Sequence, residues 1–235
     1  MSIAELRRDL ADAFRICHQL GWSESVGNHF SAAVSENGQE FLLNAKWQHF
    51  ATIKPEDLLL LDSCDETVME SPHAPDASAW CIHGTLHRKL PNARVVLHTH
   101  SPYATALACL KDPTLLPIDN NTARFYGRIA YDLSFGGIAD AREEGDRIAD
   151  AIGDKSILLM GNHGVTVVGE TVADAFEDLY FFEKAAKTLV LSLSTGKPLA
   201  ILSDTVAQNT SDGWKPYRGM AQRHFEYLRS ALPAI

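Results

Sequence analysis

Apolar residues recur at helical spacing over residues 3–20, where Leu6, Leu10, Ala13, Phe14 and Cys17 share a face and Gly21 stops the run. Beyond it the period shortens. Residues 29–35 and 40–44 read as short strands joined by Asn37-Gly38, a strong hairpin signal. Residues 57–62 contain four consecutive leucines and read as a strand buried on both faces. A loop over 71–76 leads into a helix from about Ala77 to Leu90, which Pro91 follows. The apolar run in residues 93–100 (ARVVLHTH) suits a central strand, and Ser101-Pro102 then starts a helix as N-cap and first-turn proline. Residues 120–138 read as irregular and 140–153 as helix. Strands at 156–160 and 165–168 flank the tight turn Gly161-Asn162-His163-Gly164. Thr171 with Asp174 resembles a capping box opening a long helix over 172–194, which Gly196-Lys197-Pro198 ends. A polar stretch precedes a last helix near 217–231. Helices and strands interleave without repeat or low-complexity linker. The pattern predicts one α/β domain over residues 1–235, with a mostly antiparallel sheet flanked by helices.

Composition acts on this picture by exclusion. A chain of 235 residues buries enough surface to need no staples. Its 21 Lys and Arg against 30 Asp and Glu give a net charge of -9, which opposes general binding of nucleic acid or anionic membranes. A local basic pocket for a small anion is compatible with that sum. No apolar run approaches the ~18–20 residues that span a bilayer. The charged N-terminal segment reads as an amphipathic helix rather than a signal peptide. Cys17, Cys64, Cys81 and Cys109 are scattered and read as buried free thiols in a reducing cytoplasm.

The candidate chemistry lies in the histidines. In His98-Thr99-His100 the two imidazoles point the same way, because strand side chains alternate faces. By itself this motif is weak, since core and surface histidines are common. His163 strengthens it, standing in a turn with glycines at 161 and 164, after an apolar strand. Three imidazoles suit Zn²⁺, Mn²⁺ or Fe²⁺ and leave a position for water or substrate. His83 and His87 share a helix face, but the glutamate of the hydrolytic HExxH motif is missing, so they read as orienting or packing residues. His18, His29, His49, His73 and His224 have no partner pattern and read as surface or structural.

Taken together, Gly27-Asn28, the helix ending at Pro91, HTHSPYATAL, the GNHG turn and GETVADAFEDLYFFEKAA resemble the class II aldolase/adducin family over about residues 5–200. The resemblance implies a three-layer α/β/α sandwich and a homotetramer with active sites between subunits. It also implies one divalent metal per subunit, Zn²⁺ or Mn²⁺, held by His98, His100 and His163. Sugar-phosphate aldolases of the family carry a Ser-Ser-Glu or Ser-Ser-Asp segment ahead of the first of these histidines. The corresponding segment here is Ala77-Ser78-Ala79, so Ala79 stands at the acid/base position and only Ser78 keeps its hydroxyl. Asn44-Ala45-Lys46-Trp47 replaces the Ser-Gly that follows the second strand.

These departures weaken a phosphate subsite and remove a base. Decarboxylation fits a retained metal site better, because no proton need leave carbon. The resemblance extends to the family's hydroxy-aromatic and hydroxypyridine dicarboxylate decarboxylases. The expected function is therefore a metal-dependent carbon–carbon lyase, with a small anionic substrate contacted by Asn28, Lys46, Ser78, Arg124 or the segment Asn120-Asn121-Thr122. An alternative is an aldolase on an unphosphorylated hydroxy-carbonyl compound, with Asp76, His83 or Tyr131 as the replacement base. A third reading is a non-catalytic adducin-like binding module, against which the three histidines count.

Overall fold

A computed structural model of the chain describes residues 2–134 and 142–233. The elements are α1 (Ile3–Gln19), β1 (His29–Ala33), β2 (Glu40–Leu43), β3 (Leu59–Asp62), α2 (Ala77–Lys89), β4 (Val95–Thr99) and α3 (Pro102–Ala108). They continue with α4 (Asn120–Ala123), β5 (Ile129–Asp132), α5 (Arg142–Ile152), β6 (Ile157–Met160), β7 (Gly164–Gly169), α6 (Val172–Ser194), α7 (Asp204–Trp214) and α8 (Gly219–Ser230).

The seven strands form one sheet in the order β3-β2-β1-β4-β7-β6-β5. Every pairing is antiparallel except β5 with β6. Strand alternation sorts the core into layers. Phe30, Leu42, Val95, Leu97, Val165 and Val167 point to one face and pack on α1, α6 and α8. Val96, Leu158 and Val168 point to the other and pack on α2 and α5. The result is the three-layer α/β/α sandwich expected from the sequence. His98 follows the parity of Val96 and so belongs to the α2 layer.

Helix ends are set locally. Ser2 and Glu5 form a capping box on α1. Asp76 caps α2 by accepting the Ser78 and Ala79 amides, and Thr171 accepts the Asp174 amide at the start of α6. Such caps satisfy amides that the helix itself leaves without partners.

The structure corrects four expectations. Of the cysteines expected to be buried, Cys64 and Cys109 are exposed. The leucine run is not buried on both faces. β3 is the edge strand of the sheet, and Leu60 is 48% exposed. Residues 120–138 are not irregular over their described part, which holds α4 and β5. Both are too short, at four residues each, to show a period. The polar stretch before the last helix contains α7, which buries only Ala207 and Ser211 and therefore carries little apolar signal. Expectations for residues 135–141 lie outside the described residues.

Candidate metal centre

His98 lies near the end of β4, His100 just beyond it, and His163 in the turn between β6 and β7. Antiparallel pairing of β4 with β7, opposing Thr99 to Val165, brings the two segments together. Asn162 takes a φ of +54° in the turn and donates its amide to the Ala108 carbonyl at 3.0 Å. A Cβ at Gly164 would stand 2.6 Å from the Thr99 carbonyl oxygen and 2.7 Å from His100 Cδ2. Glycine is required there, because any side chain would push the turn off the His100 ring.

The three rings form a near-equilateral triangle, with centroids 5.1, 4.9 and 4.8 Å apart. One nitrogen of each lies within 4.8 Å of the others, and among the described residues this is the cluster of His, Cys, Asp and Glu that could hold a metal ion. The donor geometry passes a simple test. Two nitrogens each ~2.0–2.1 Å from one tetrahedral ion stand roughly 3.3 Å apart, and His98 Nε2 and His100 Nε2 are separated by 3.2 Å.

The outer nitrogens of His98 and His100 are anchored, which leaves the inner ones directed at the common point. His98 Nδ1 lies 3.2 Å from Thr166 Oγ1, and that hydroxyl donates to Met160 Sδ. The threonine oxygen therefore accepts from His98. His100 Nδ1 donates to the Glu24 carboxylate, while Asn28 Oδ1 accepts the His100 amide at 3.3 Å. Asn28 itself sits at φ +70°. The chain after His100 is held by buried Glu183, which accepts from Ser101 Oγ at 2.7 Å and from the Tyr103 and Ala104 amides at 2.8 Å each. Burial pushes the pKa of His98 well below the usual histidine value. His163 is lowered too, by burial first and then by His100 beside it. A neutral imidazole is the form that binds a metal.

Two cavities meet at the cluster, and His29, Ser78, His98, His100 and His163 line both. The larger, about 500 Å³, adds Glu24, His83 and Asn162 with an apolar wall of Ile82, Pro102, Ile148 and Met160. The smaller, about 370 Å³, adds Asn28, Asn44, Lys46, Trp47, Asp76 and Ala79. Of the residues singled out from sequence, Asn28, Lys46, Asp76, Ser78 and His83 thus stand around the three histidines.

Two do not. Arg124 lines neither cavity. Its guanidinium stacks on Phe181 and Trp214 at 4.3 and 4.9 Å and faces Asp178 and Glu177 at 3.7 and 3.9 Å. The acidic pair on α6 and the aromatic rings draw it away from the site within this chain. Tyr131 also lines neither cavity. Its hydroxyl accepts the Leu115 amide at 3.0 Å, and burial raises its pKa. In the Asn120-Asn121-Thr122 segment, Thr122 is occupied with capping by Asp119.

Sequence reasoning misses His29, Glu24 and Thr166. His29, expected to be surface or structural, instead stands opposite His98 across the β1–β4 pair. The two rings stack at 4.9 Å, and burial pushes the His29 pKa down to about 4. A signal is present in the alternation His29-Phe30-Ser31, whose polar positions share a face. Glu24 and Thr166 have no local pattern and emerge only from the tertiary pairing.

Residues 8–190 match the family model for the Class II Aldolase and Adducin N-terminal domain. A protein of Caulobacter vibrioides named after the class 2 aldolases is 29% identical over 205 residues, covering 87% of this chain and 79% of that protein. Decarboxylase NovR of Streptomyces niveus is 26% identical over 216 residues, covering 88% and 79%. The crystal structure of an aldolase II superfamily protein from Pseudomonas syringae superposes with a TM-score of 0.87 at 29% identity, covering 97% of this chain and 92% of that one.

Proposed function

The chain belongs to the class II aldolase and adducin family, and from that premise we propose that it is a metal-dependent carbon–carbon lyase that decarboxylates a hydroxy-aromatic or hydroxypyridine carboxylate. One observation carries the reading. Three imidazoles converge at the cavity, while the first turn of α2 offers that cavity the methyl group of Ala79 instead of a carboxylate.

Aldol cleavage needs a base that takes a proton from oxygen. Of the side chains expected to replace it, Tyr131 lines neither cavity, and Asp76 and His83 are engaged. Asp76 accepts from Ser78 Oγ and from two amides. Burial raises its pKa, but these bonds and nearby His29 outweigh burial and hold the carboxyl below its usual value. Both ring nitrogens of His83 are hydrogen-bonded. Loss of CO₂ takes no proton from carbon, because the bonding pair stays behind as the bond breaks. A divalent ion, Zn²⁺ or Mn²⁺, at His98, His100 and His163 would supply Lewis-acid stabilisation of that negative charge.

The chain's own residues do the rest. Ile82, Ile148 and Met160 give a flat ring an apolar wall that excludes water. Lys46 lines the smaller cavity, where it can hold a second carboxylate, whereas the Ser78 hydroxyl gives its proton to Asp76. Kinship with a protein named as a decarboxylase supports this reading, beside relatives named after the aldolases. The matching assembly is a homotetramer with sites between subunits, and exposed Leu191, Ile201, Val206 and Tyr227 on and around α6–α8 support it. Sedimentation as a monomer at micromolar concentration would overturn that assembly. Among the described residues, no helix is long and apolar enough to cross a membrane.

The test is metal analysis of the purified chain followed by a screen for CO₂ release from hydroxy-aromatic acids. On the substrate found, Ala79→Glu should lower kcat/KM at least about tenfold, or ~1.4 kcal/mol. A carboxylate there would repel the substrate's own carboxylates. A gain in rate, or release of an aldehyde in place of CO₂, would transfer the assignment to the aldolases.

A further inference from the structure

A two-residue step along a strand and a four-residue step along a helix cover nearly equal lengths, about 6.6 Å and about 6 Å. On β1, His29 and Ser31 are two apart and share a face. On α2, His83 and His87 are four apart and share a face. The two pairs interdigitate into one file. His29 Nδ1 lies 2.7 Å from His83 Nε2, and His83 Nδ1 lies 2.5 Å from Ser31 Oγ. Ser31 Oγ lies 2.7 Å from His87 Nε2, and His87 Nδ1 lies 2.5 Å from the Ala93 carbonyl oxygen. His83 and Ser31 are fully buried.

The direction of each bond follows from the far end. A carbonyl oxygen only accepts, so His87 carries its proton on Nδ1 and turns a lone pair toward Ser31. Ser31 donates its single proton to that lone pair, and its oxygen accepts from His83 Nδ1. His83 Nε2 then has a lone pair and accepts from His29 Nδ1. His29 Nε2 is left as the nitrogen without a proton, on a ring that lines both cavities. Running the file the other way would require an additional proton at His87. Burial opposes this and holds the His87 pKa at about 4, with Arg94 adding to the effect against the pull of the Ala93 carbonyl.

We propose that this file fixes His29 as a hydrogen-bond acceptor for substrate, a directed lone pair beside His98 but outside the ligand cluster. The group it selects is a donor, which on a hydroxy-aromatic acid is the hydroxyl. The inference rests on the proposed hydroxy-acid substrate for its ligand, though not for the file itself. His29 touches the substrate, while His83, Ser31 and His87 are positioning residues.

The test is ¹⁵N NMR of the full chain with labelled histidine and bound Zn²⁺. His29, His83 and His87 should all be protonated on Nδ1. Protonation of His29 on Nε2 overturns the proposal, and the wild-type spectrum alone decides this. Ser31→Ala should leave His87 unchanged and let His83 and His29 populate the other tautomer, and Ser31→Thr should restore the original state. A purely packing role would leave the tautomers unmoved in Ser31→Ala. Salicylate should move the His29 Nε2 resonance and bind at least tenfold more tightly than 2-methoxybenzoate, which lacks the donor. His29→Leu should erase that preference. Salicylate that binds without moving Nε2 overturns the acceptor role. Failure of both probes to bind a chain whose tautomers are as stated overturns the hydroxy-aromatic reading, and the acceptor role with it, while the file stands.

Discussion

Two groups of buried polar side chains lie on opposite sides of the sheet, and they are built on different principles. Between β1 and α2, three imidazoles and a hydroxyl form a neutral file. Against α6, Asp178 meets Arg128 directly and Arg124 and Arg218 at 3.7 and 3.6 Å, while Glu177 accepts from His224 at 2.6 Å. The first group is directional. Each inner member gives one hydrogen bond and takes one, and His29 at the open end gives one, so a carbonyl at one end decides the proton position at the other. The second is a set of charges whose attractions have no sequence or polarity. A directional group can aim a lone pair into a cavity, whereas a charge network can only hold surfaces together. The difference predicts that damage to the network costs stability and leaves the site intact, and that damage near the file alters the site as well.

The largest expected effect breaks the network. Asp178→Ala leaves Arg124 and Arg128 facing a lost partner in a buried setting. Removing one side of a buried pair costs about 3–5 kcal/mol, which for a domain this size is a fall in Tm on the order of 10 °C. The metal bound per chain should not change. A melt combined with metal analysis checks both halves, and a loss of metal at unchanged Tm would reverse the contrast between the two groups.

Acid should act on the file. The folded pKa of His87 is about 4, below the ~6.5 of an unfolded histidine. A depressed folded pKa gives stability that is present above pH ~6.5 and lost as pH falls toward 4, because the unfolded chain binds the proton first. The full loss from this residue is up to about 3 kcal/mol at the ~1.4 kcal/mol per unit of pKa difference. Denaturant midpoints at pH 7 and pH 4.5 in wild type and in His87→Gln measure it. The wild type should lose more stability than the variant, and equal losses would assign the acid sensitivity elsewhere.

These contrasts also show what the sequence could reveal. The layers were legible because long periodic segments such as residues 3–20 and 172–194 show a clean apolar face. The convergence of His98, His100 and His163 was legible because each belongs to a compact motif beside an apolar strand. Arg124 was not, because its partners Glu177 and Trp214 are far along the chain and outcompete the cavity. The file was half legible. His83 and His87 showed their shared face, but the matching positions His29 and Ser31 stand on another element, and the match of strand rise to helix rise appears only when the two pack. β3 misled because a leucine run carries no information on whether a strand lies inside a sheet or at its edge.

The smallest expected effect separates the two ways in which the candidate ligands are anchored. Glu24 is charged and half exposed, and it accepts from His100. Thr166 is neutral and buried, and it accepts from His98. Partners of this kind are worth about 10–100-fold in metal affinity. Solvent screens the exposed charge, so Glu24→Gln, which keeps an acceptor oxygen, should lower Zn²⁺ affinity by about tenfold, the low end of that range. Thr166→Val removes the acceptor outright in a place water does not replace it, and it should cost several times more. Competition with a chelator measures both, and raising the salt concentration should shrink the difference between Glu24→Gln and wild type while leaving that of Thr166→Val unchanged. If the glutamate variant is the weaker binder at every salt concentration, charge governs the site, and hydrogen-bond direction does not set the affinity of the histidine ligands for their ion.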